Sequence, residues 1–445
     1  MRLAGRKALV VGAGKSGVAA ARLLASNGAF LAIADDKDES ALAESLRGLA
    51  GVPHERYLGG LREEAFHGRD LIVVSPGVPL SNPVIAAARS RGVELIGEVE
   101  LASRFVEEPI LGVTGTNGKS TTTALTAHLL QAAGKKVFAG GNLGDPLSNR
   151  VLRGGKLDAT VCELSSYQLE GIASLRCAAA TVLNVTPDHL DRYPSLEAYA
   201  AAKERIFANQ RPDDSAVLNL ADARVAKMRT PAGVRRRGFD PRGRNAEAVG
   251  SVRTKGVLAV DGAEYDLRAK TLRGAHNAEN ALAALLLARH LGAPPWALQQ
   301  GLDSYPGLPH RLEPVRTLDG VEWVNDSKAT NVDSVEKSLS AFDQRVILIM
   351  GGRGKGAPYA PLRPLFQGRV TALLTLGEDA ARIADELGDL ATVTACGDLR
   401  TAVAHARKLA RAGDTVLLSP ACASYDQFRN FEDRGDQFKA LVRGL

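Results

Sequence analysis

The chain is poor in the side chains that build staples and aromatic clusters: 5% of its 445 residues are aromatic, with four cysteines, three methionines and two tryptophans. Cys162, Cys177, Cys396 and Cys422 have neither the spacing of a metal knuckle nor that of a C-x-x-C pair, which excludes a zinc-stapled or disulfide-scaffold protein. They read as small buried apolar residues in a reducing compartment. No apolar run reaches the ~20 residues of a membrane span. Met1–Ala25 starts basic and turns small and apolar like a secretory leader, but Gly12, Gly14, Lys15, Ser16 and Gly17 interrupt it. A cytoplasmic protein with no stable membrane association is therefore expected. A strong excess of one charge is also absent, with 56 Lys plus Arg against 50 Asp plus Glu. The basic residues are dispersed; the one dense run, Arg235-Arg236-Arg237, reads as a solvated loop. Without a basic face interleaved with aromatics, no nucleic acid is expected as a partner.

What the sequence does have is glycine in phosphate-binding patterns. Gly112-Val113-Thr114-Gly115-Thr116-Asn117-Gly118-Lys119-Ser120-Thr121 follows the apolar lead-in Ile110-Leu111. It precedes Thr122–Ala133, whose Leu125, Leu129 and Leu130 have helical spacing, closed by Gly134. Strand, Gly-rich loop and helix N-terminus together form the setting in which free backbone N–H groups and the helix dipole hold a phosphate. Lys119 adds a mobile positive charge and Ser120 a hydroxyl for Mg²⁺. The strict pattern wants glycine at Val113, so the shorter Gly-x-x-Gly-Lys-Ser is what remains.

A chain of this length holds roughly three domains. In residues 1–97, strand Leu9–Val11 leads into Gly12-Ala13-Gly14-Lys15-Ser16-Gly17, then helix Val18–Ala25, then strand Phe30–Ala34 ending at Asp35-Asp36. Asp35 lies 21 residues after Gly14, the dinucleotide fingerprint with an acid placed to meet a ribose. Strand Leu71–Val74 ends in the rigid Ser75-Pro76-Gly77-Val78-Pro79, on the edge where ligands of open α/β sheets bind. Residues 98–308 surround the phosphate loop. Strands Val137-Phe138, Ala159–Cys162 and Thr181–Val185 lead to Gly140-Gly141-Asn142-Leu143-Gly144, to Glu163, and to Asp188-His189-Leu190-Asp191. Glu163 at a strand tip can hold Mg²⁺ or cap the next segment; His189 between acids can ligate a metal or lie plainly on the surface. Helix Ser195–Asn209 carries Lys203, on its own merely a helix lysine. Asp261-Gly262 signals a hairpin. Asn277 and Asn280 precede an apolar helix Ala281–His290 and read as caps, while Pro294-Pro295 and Pro306–Pro309 look like linkers, the latter a candidate hinge. Residues 309–445 alternate again, with strands Val321–Val324, Val346–Met350, Ala372–Leu376 and Thr415–Leu418 each running into a polar loop, as in a doubly wound sheet.

Taken together, Gly115–Ser120, Glu163-Leu164-Ser165-Ser166-Tyr167-Gln168-Leu169, Asp188–Tyr193, His276-Asn277-x-x-Asn280, Pro309-His310-Arg311, Asn325-Asp326-Ser327-Lys328 and Ser419–Ser424 resemble the Mur ligase family over the whole chain and in the family's order. The resemblance implies an α/β protein of three domains: Rossmann-like 1–97 for a UDP-linked substrate, P-loop ATPase-like 98–308 with a small β element for ATP, and Rossmann-like 309–445 for the incoming amino acid. It is nearest to the branch that adds D-glutamate to UDP-N-acetylmuramoyl-L-alanine in peptidoglycan precursor synthesis. It implies ATP and two Mg²⁺ as cofactors, small molecules as the partners, and a monomer. Gly115, Thr116, Asn117, Gly118, Lys119, Ser120, Thr121, Asn277, Asn280, Arg311, Asp326 and Lys328 would meet ATP. Gly14, Lys15, Ser16, Asp35, Asp36, Lys37, Ser75, Gly77, Asn142 and His189 would meet the UDP substrate. Thr330, Lys355, Ser424 and Phe431 would surround D-glutamate. Ser120, Glu163, His189 and Lys203, the last carbamylated, would support the metal, and Lys119, His189, Lys203 and Asn142 would carry catalysis. The base for the amine is left among His189, Asp326 and water. One departure is Arg353, where relatives carry an acid in or near Gly-Gly-x-Gly-Lys.

An NAD-dependent oxidoreductase explains the first fingerprint and nothing after it. A nucleic-acid motor wants a basic aromatic face that the chain lacks. The alternative within the resemblance is a related ligase that adds a different amino acid or uses another acceptor; of these, folylpolyglutamate-type enzymes lack a complete first nucleotide-binding domain. On the ligase reading, Lys119→Ala is expected to lower turnover roughly 10²- to 10⁴-fold, the scale of losing one charge-stabilising group; steady-state phosphate release measures it, and near-normal turnover refutes the assignment.

Overall fold

Strands that are apolar at every position can be buried on both faces only by helices packed on each side, which is how parallel sheets are built. Leu71–Val74 and Val346–Gly351 are of this kind, with every residue buried. The computed structural model describes residues 2–142, 144–188 and 192–445. Contacts divide the chain into two units, Met1–Asp266 with Glu279–Gly301, and Leu267–Ala278 with Leu302–Leu445.

The first unit holds two sheets. Strands β1 (Lys7–Val11), β2 (Phe30–Asp35), β3 (Glu55–Leu58), β4 (Leu71–Val74) and β5 (Glu94–Gly97) form an all-parallel sheet in the order β3-β2-β1-β4-β5. The second sheet contains β6 (Ile110–Thr114), β7 (Val137–Gly141), β8 (Ala159–Glu163), β9 (Ala179–Val182), β10 (Ser215–Asn219), β11 (Arg235–Phe239), β12 (Ala248–Thr254), β13 (Val257–Val260) and β14 (Ala263–Asp266). Its order is β14-β13-β12-β11-β10-β9-β6-β8-β7, parallel except for the antiparallel β12-β13-β14 extension. That extension is the expected hairpin region, and Asp261 and Gly262 both take positive φ in the turn between β13 and β14.

The second unit holds one sheet of β15 (Glu313–Leu318), β16 (Val321–Asn325), β17 (Val346–Gly351), β18 (Val370–Leu376), β19 (Thr392–Gly397) and β20 (Thr415–Leu418). The order is β15-β16-β20-β17-β18-β19, parallel apart from β15. Loops that follow β16, β20 and β17 therefore emerge side by side. All four cysteines are buried and free.

Several expectations need correction. Arg235-Arg236-Arg237 is not a loop but the start of β11, paired with β10; its arginine stems mask the strand alternation while their heads stay at the surface. Strand β9 ends at Val182 rather than Val185, because Asn184 turns its backbone to the phosphate loop, its carbonyl accepting from Thr116 N–H at 2.9 Å. The helix after Gly274 begins at Ala275, so Asn277 and Asn280 sit inside it and are not its caps. Pro295 opens the helix Pro295–Ser304, the first-turn position where its missing N–H costs nothing.

Within Gly12-x-Gly14-x-x-Gly17 the glycines have different reasons to be small. A Cβ on Gly17 would lie 1.8 Å from the Gly12 carbonyl oxygen, whereas one on Gly14 would meet nothing within 4 Å. Gly17→Ala is expected to cost about 1–3 kcal/mol or more of stability through overpacking, and Gly14→Ala to leave it near parental; paired thermal melts decide, and equal behaviour of the two variants overturns the assignment.

Candidate active site

The first sheet reverses its strand order between β1 and β4, so the turns after these strands face one crevice. They are joined there: Ser75 Oγ donates to Gly12 O at 2.8 Å. Asp35, at the tip of β2, accepts the Ala13 N–H at 2.7 Å and the Lys37 N–H at 2.9 Å. The acid of the fingerprint is thus pinned over the Gly-rich turn. Asp36 accepts the Leu61 N–H at 3.1 Å. Gly14, Lys15, Lys37 and Gly77 are exposed around this crevice, with Ser16 half-buried. Lys15 Nζ reaches Gly144 O at 3.2 Å, which brings the helix Lys15–Ser26 to the loop carrying Asn142.

In the second sheet the reversal falls between β6 and β9, and the phosphate loop leaves β6. Gly115 and Gly118 take φ of 151° and 85°, values that glycine adopts without a Cβ penalty. Gly118 is the N-cap of the helix Lys119–Ala132 and supplies no capping side chain, so the phosphate loop leads straight into a helix N-terminus. Asn184 braces the loop, its Oδ1 accepting the Asn117 N–H at 2.8 Å and its Nδ2 donating to Asn117 O at 3.2 Å. Thr116 is tied to Thr186 in both directions. Asn280 accepts from the Thr122 hydroxyl at 3.3 Å, and a Cβ on Gly118 would lie 2.2 Å from its Oδ1.

Lys119 Nζ curls onto its own loop, donating to Gly115 O at 2.9 Å and Thr116 O at 2.8 Å. Lys203 Nζ donates to the same Gly115 oxygen at 2.8 Å and lies 4.3 Å from the centre of the Tyr199 ring. Only 1% of Lys203 is exposed. That burial, aided by the Lys119 charge, lowers its amine to about 7. Glu163, the last residue of β8, is 2% exposed. One of its carboxylate oxygens accepts from Asn142 Nδ2 at 2.7 Å, and the other is buried without a hydrogen-bond partner. An orphaned carboxylate oxygen at a strand tip beside a phosphate loop fits a Mg²⁺, which takes one or two protein carboxylates and completes its shell with substrate oxygens and water. Among the described residues no three His, Cys, Asp or Glu side chains converge on one point. His189 lies outside the described residues.

In the second unit the remaining predicted residues gather at the C-terminal ends of β16, β17 and β20. Asp326, Lys328 and Thr330 follow β16, Lys355 follows β17, and Ser424 follows β20. Asp326 is buried and fully engaged: Leu312 N–H reaches one oxygen at 3.1 Å, and the hydroxyls of Ser338 and Ser419 reach the other at 2.6 and 2.8 Å. Burial raises its pKa to about 6. Lys328 Nζ lies 4.8 Å from the Phe431 ring centre, and His310 packs edge-on against the same ring. Arg311 sits between His310 and Leu312, which both take positive φ, as does Ala421 after β20. Strained non-glycine backbone of this kind collects at functional sites. Asn277 donates to Arg273 O at 2.9 Å. Arg353 is held by Glu378 through two hydrogen bonds, at 3.0 and 2.8 Å, so the loop that lacks its expected acid lies against one from the neighbouring strand end.

Two organising residues were not foreseen. Asn184 carries no spacing signal in the sequence. Arg434, 0% exposed, donates to Ser327 Oγ and O, to Cys422 O and to Gly351 O, and so ties the three loops together from inside the helix Phe431–Arg443. Its helical context reads as an ordinary surface position.

Residues 6–97 match the Mur ligase MurD-like N-terminal domain, 113–288 the Mur ligase middle domain, and 310–422 the Mur ligase glutamate ligase domain. The chain belongs to the Mur ligase family. It is 56% identical to the UDP-N-acetylmuramoylalanine--D-glutamate ligase of Anaeromyxobacter dehalogenans, covering 99% of this chain and 98% of that one. It is 53% identical to the protein of the same name from Myxococcus xanthus, over the whole of both chains. Among solved structures, the MurC of Thermotoga maritima shares the fold at 21% identity with a TM-score of 0.59, covering 99% of both chains. A pseudomurein peptide ligase type C from Methanothermus fervidus does so at 19% identity and 0.58, covering 99% of this chain and 100% of that one. The three-domain α/β fold expected for a Mur ligase is borne out.

Because folding raises the Asp326 pKa from 3.8 to about 6, the native state holds that proton more tightly than the unfolded chain, and its contribution to stability falls as pH rises through that interval. Asp326→Asn is expected to remove this slope; melting of parent and variant at steps between pH 4 and 7 measures it, and identical slopes refute the assignment.

Proposed function

We propose that this Mur ligase joins UDP-N-acetylmuramoyl-L-alanine to D-glutamate with cleavage of ATP to ADP and phosphate, in peptidoglycan precursor synthesis. Full-length identity of 56% and 53% to two ligases that bear this name carries the reading. Residues 1–97 would take the UDP end, with Gly14, Lys15, Ser16, Asp35, Asp36, Lys37, Ser75 and Gly77 around it. Residues 98–308 would take ATP, and 309–445 the amino acid, with Thr330, Lys355, Ser424 and Phe431 about its carboxylates.

A carboxylate is a poor acyl donor, so its oxygen first attacks the γ-phosphorus of ATP. The P–O bond to ADP breaks and an acyl phosphate forms. Both reactants are anions. Lys119 leaves the carbonyls of its own loop for the transferring phosphoryl group, and the N–H groups of the phosphate loop neutralise charge as it develops. Asn142 and Glu163 stand at the adjacent ends of β7 and β8, where the sugar-linked carboxylate would arrive. When bound, Mg²⁺ supplies further charge neutralisation and phosphoryl positioning, held by Ser120, Glu163, His189 and Lys203. For the last role the Lys203 nitrogen attacks carbon dioxide and sheds a proton to water, giving a carbamate; its buried, near-neutral amine suits that reaction. The amine of D-glutamate then attacks the acyl carbon, gives up a proton to water or to His189, and phosphate leaves. Both Asp326 oxygens already accept hydrogen bonds, so it serves better as an anchor of the β16 loop than as the base.

Incubation with ATP, UDP-N-acetylmuramoyl-L-alanine and single amino acids is expected to release phosphate with D-glutamate alone, and release with another amino acid in its place overturns the substrate. Lys203→Ala should lose most of this activity and recover part of it with short added carboxylic acids; full activity of the variant removes the carbamate from the scheme.

A further inference from the structure

Arg192 lies just past the segment that carries His189, and the fold gives it partners far from its own strand. Its Nη1 donates to Pro76 O at 3.3 Å, its Nη2 pairs with Glu170 at 3.0 Å, and its guanidinium carbon lies 3.9 Å from the centre of the Tyr167 ring. The side chain is only 16% exposed. Pro76 belongs to the turn after β4, closed by Val78 N–H to Ser75 O at 3.0 Å and joined to Gly12 O through Ser75 Oγ. Tyr167 and Glu170 lie on the helix Ser166–Glu170, three residues past Glu163. Gly97 N–H also donates to Gly171 O nearby, at 3.1 Å, but from the end of β5 rather than from the turn. Between the two segments lies a small gap of about 10 Å³, lined by Ser75, Gly97, Glu98, Gln168 and Arg192 among others; one oxygen of Glu98 is buried without a hydrogen-bond partner. Arg192 bridges the turn and the helix across this gap.

Contacts continue from Arg192 toward the phosphate loop. Tyr193 donates its hydroxyl to the same Glu170. Tyr193 and Tyr199 have ring centres 5.2 Å apart, and Lys203 joins Tyr199 to Gly115 O. We propose that Arg192 is a positioning residue for the UDP-linked substrate: it fixes the Ser75–Val78 turn against the helix that follows Glu163, and so sets the nucleotide-sugar crevice relative to the phosphate loop. This rests on the proposed ligase activity. Planarity matters to the role, since a guanidinium can stack on Tyr167 while donating in its own plane to two acceptors, which an ammonium cannot.

A contiguous path is not by itself coupling, so the test is kinetic. Arg192→Met is expected to raise KM for UDP-N-acetylmuramoyl-L-alanine roughly tenfold or more, the scale of one hydrogen bond to a charged group, with KM for D-glutamate within about twofold of parent. Arg192→Lys should fall between. Glu170→Gln should shift the same KM, and the double variant Arg192→Met/Glu170→Gln should show less than the product of the single effects. A merely structural role would instead lower the melting temperature and degrade every constant together, and that pattern overturns the proposal. So does a KM for the UDP substrate within twofold of parent in Arg192→Lys and Glu170→Gln, which decide the matter if Arg192→Met fails to fold. A parent protein that neither binds nor turns over UDP-N-acetylmuramoyl-L-alanine would refute the ligase reading itself; a parent that does, with unmoved variants, refutes this inference alone.

Discussion

A single carbonyl oxygen, that of Gly115, accepts hydrogen bonds from both Lys119 and Lys203. Two amines can share one acceptor in a buried place only if their mutual repulsion is relieved, and here it is relieved by the lowered proton affinity at Lys203 that burial and the Lys119 charge together produce. The arrangement solves a problem common to sites that bring two polyanions together. Positive charge must stand ready, yet it must not destabilise the protein before the anions come. Lys119 is held by carbonyls that cost little to leave, and the loop beneath it is braced by Asn184 and Thr186. The site therefore needs little rearrangement when a phosphate enters, which is the condition under which fixed dipoles and charges lower a barrier most.

The second unit meets a related demand by other means. Loops from three adjacent strands converge on Arg434, whose guanidinium donates hydrogen bonds to a hydroxyl and to carbonyl oxygens and, among the described residues, to no carboxylate. Burial lowers its pKa to about 10, which still leaves it charged at neutral pH. Its hydrogen bonds go to neutral dipoles, and the nearby Asp426 carboxylate offsets part of the charge. The left-handed His310, Leu312 and Ala421 show that the backbone around it is held away from its relaxed state, which requires over-determined surroundings.

The parts legible in the sequence were those whose chemistry imposes a spacing. Glycine intervals and an acid one strand later announce a nucleotide turn, and Gly115–Ser120 after an apolar run announces the phosphate loop, so the α/β alternation and both crevices could be read directly. The strand-tip position of Glu163 was visible too, but not the partnerless oxygen that gives it meaning. What stayed hidden are side chains whose role comes only from tertiary neighbours. Asn184 follows a strand like any loop residue, and Arg434 sits in a polar helix whose one buried cation has no periodic signature. Arg235–Arg237 misled because charge was read as solvation while the backbone was free to pair. The asparagines of the helix Ala275–His290 misled because capping is their commonest use at such a point.

The cysteines, finally, have a practical reach. Each is buried, and desolvation raises the thiols of Cys162, Cys177, Cys396 and Cys422 above the ordinary range, to about 12 at Cys177 and about 11 at Cys422. Protonated and enclosed, they are poor nucleophiles toward maleimides and iodoacetamides in the native state. A fluorophore or spin label attached to one introduced surface cysteine would then report from that position against a dark background, with no need to strip the native thiols first.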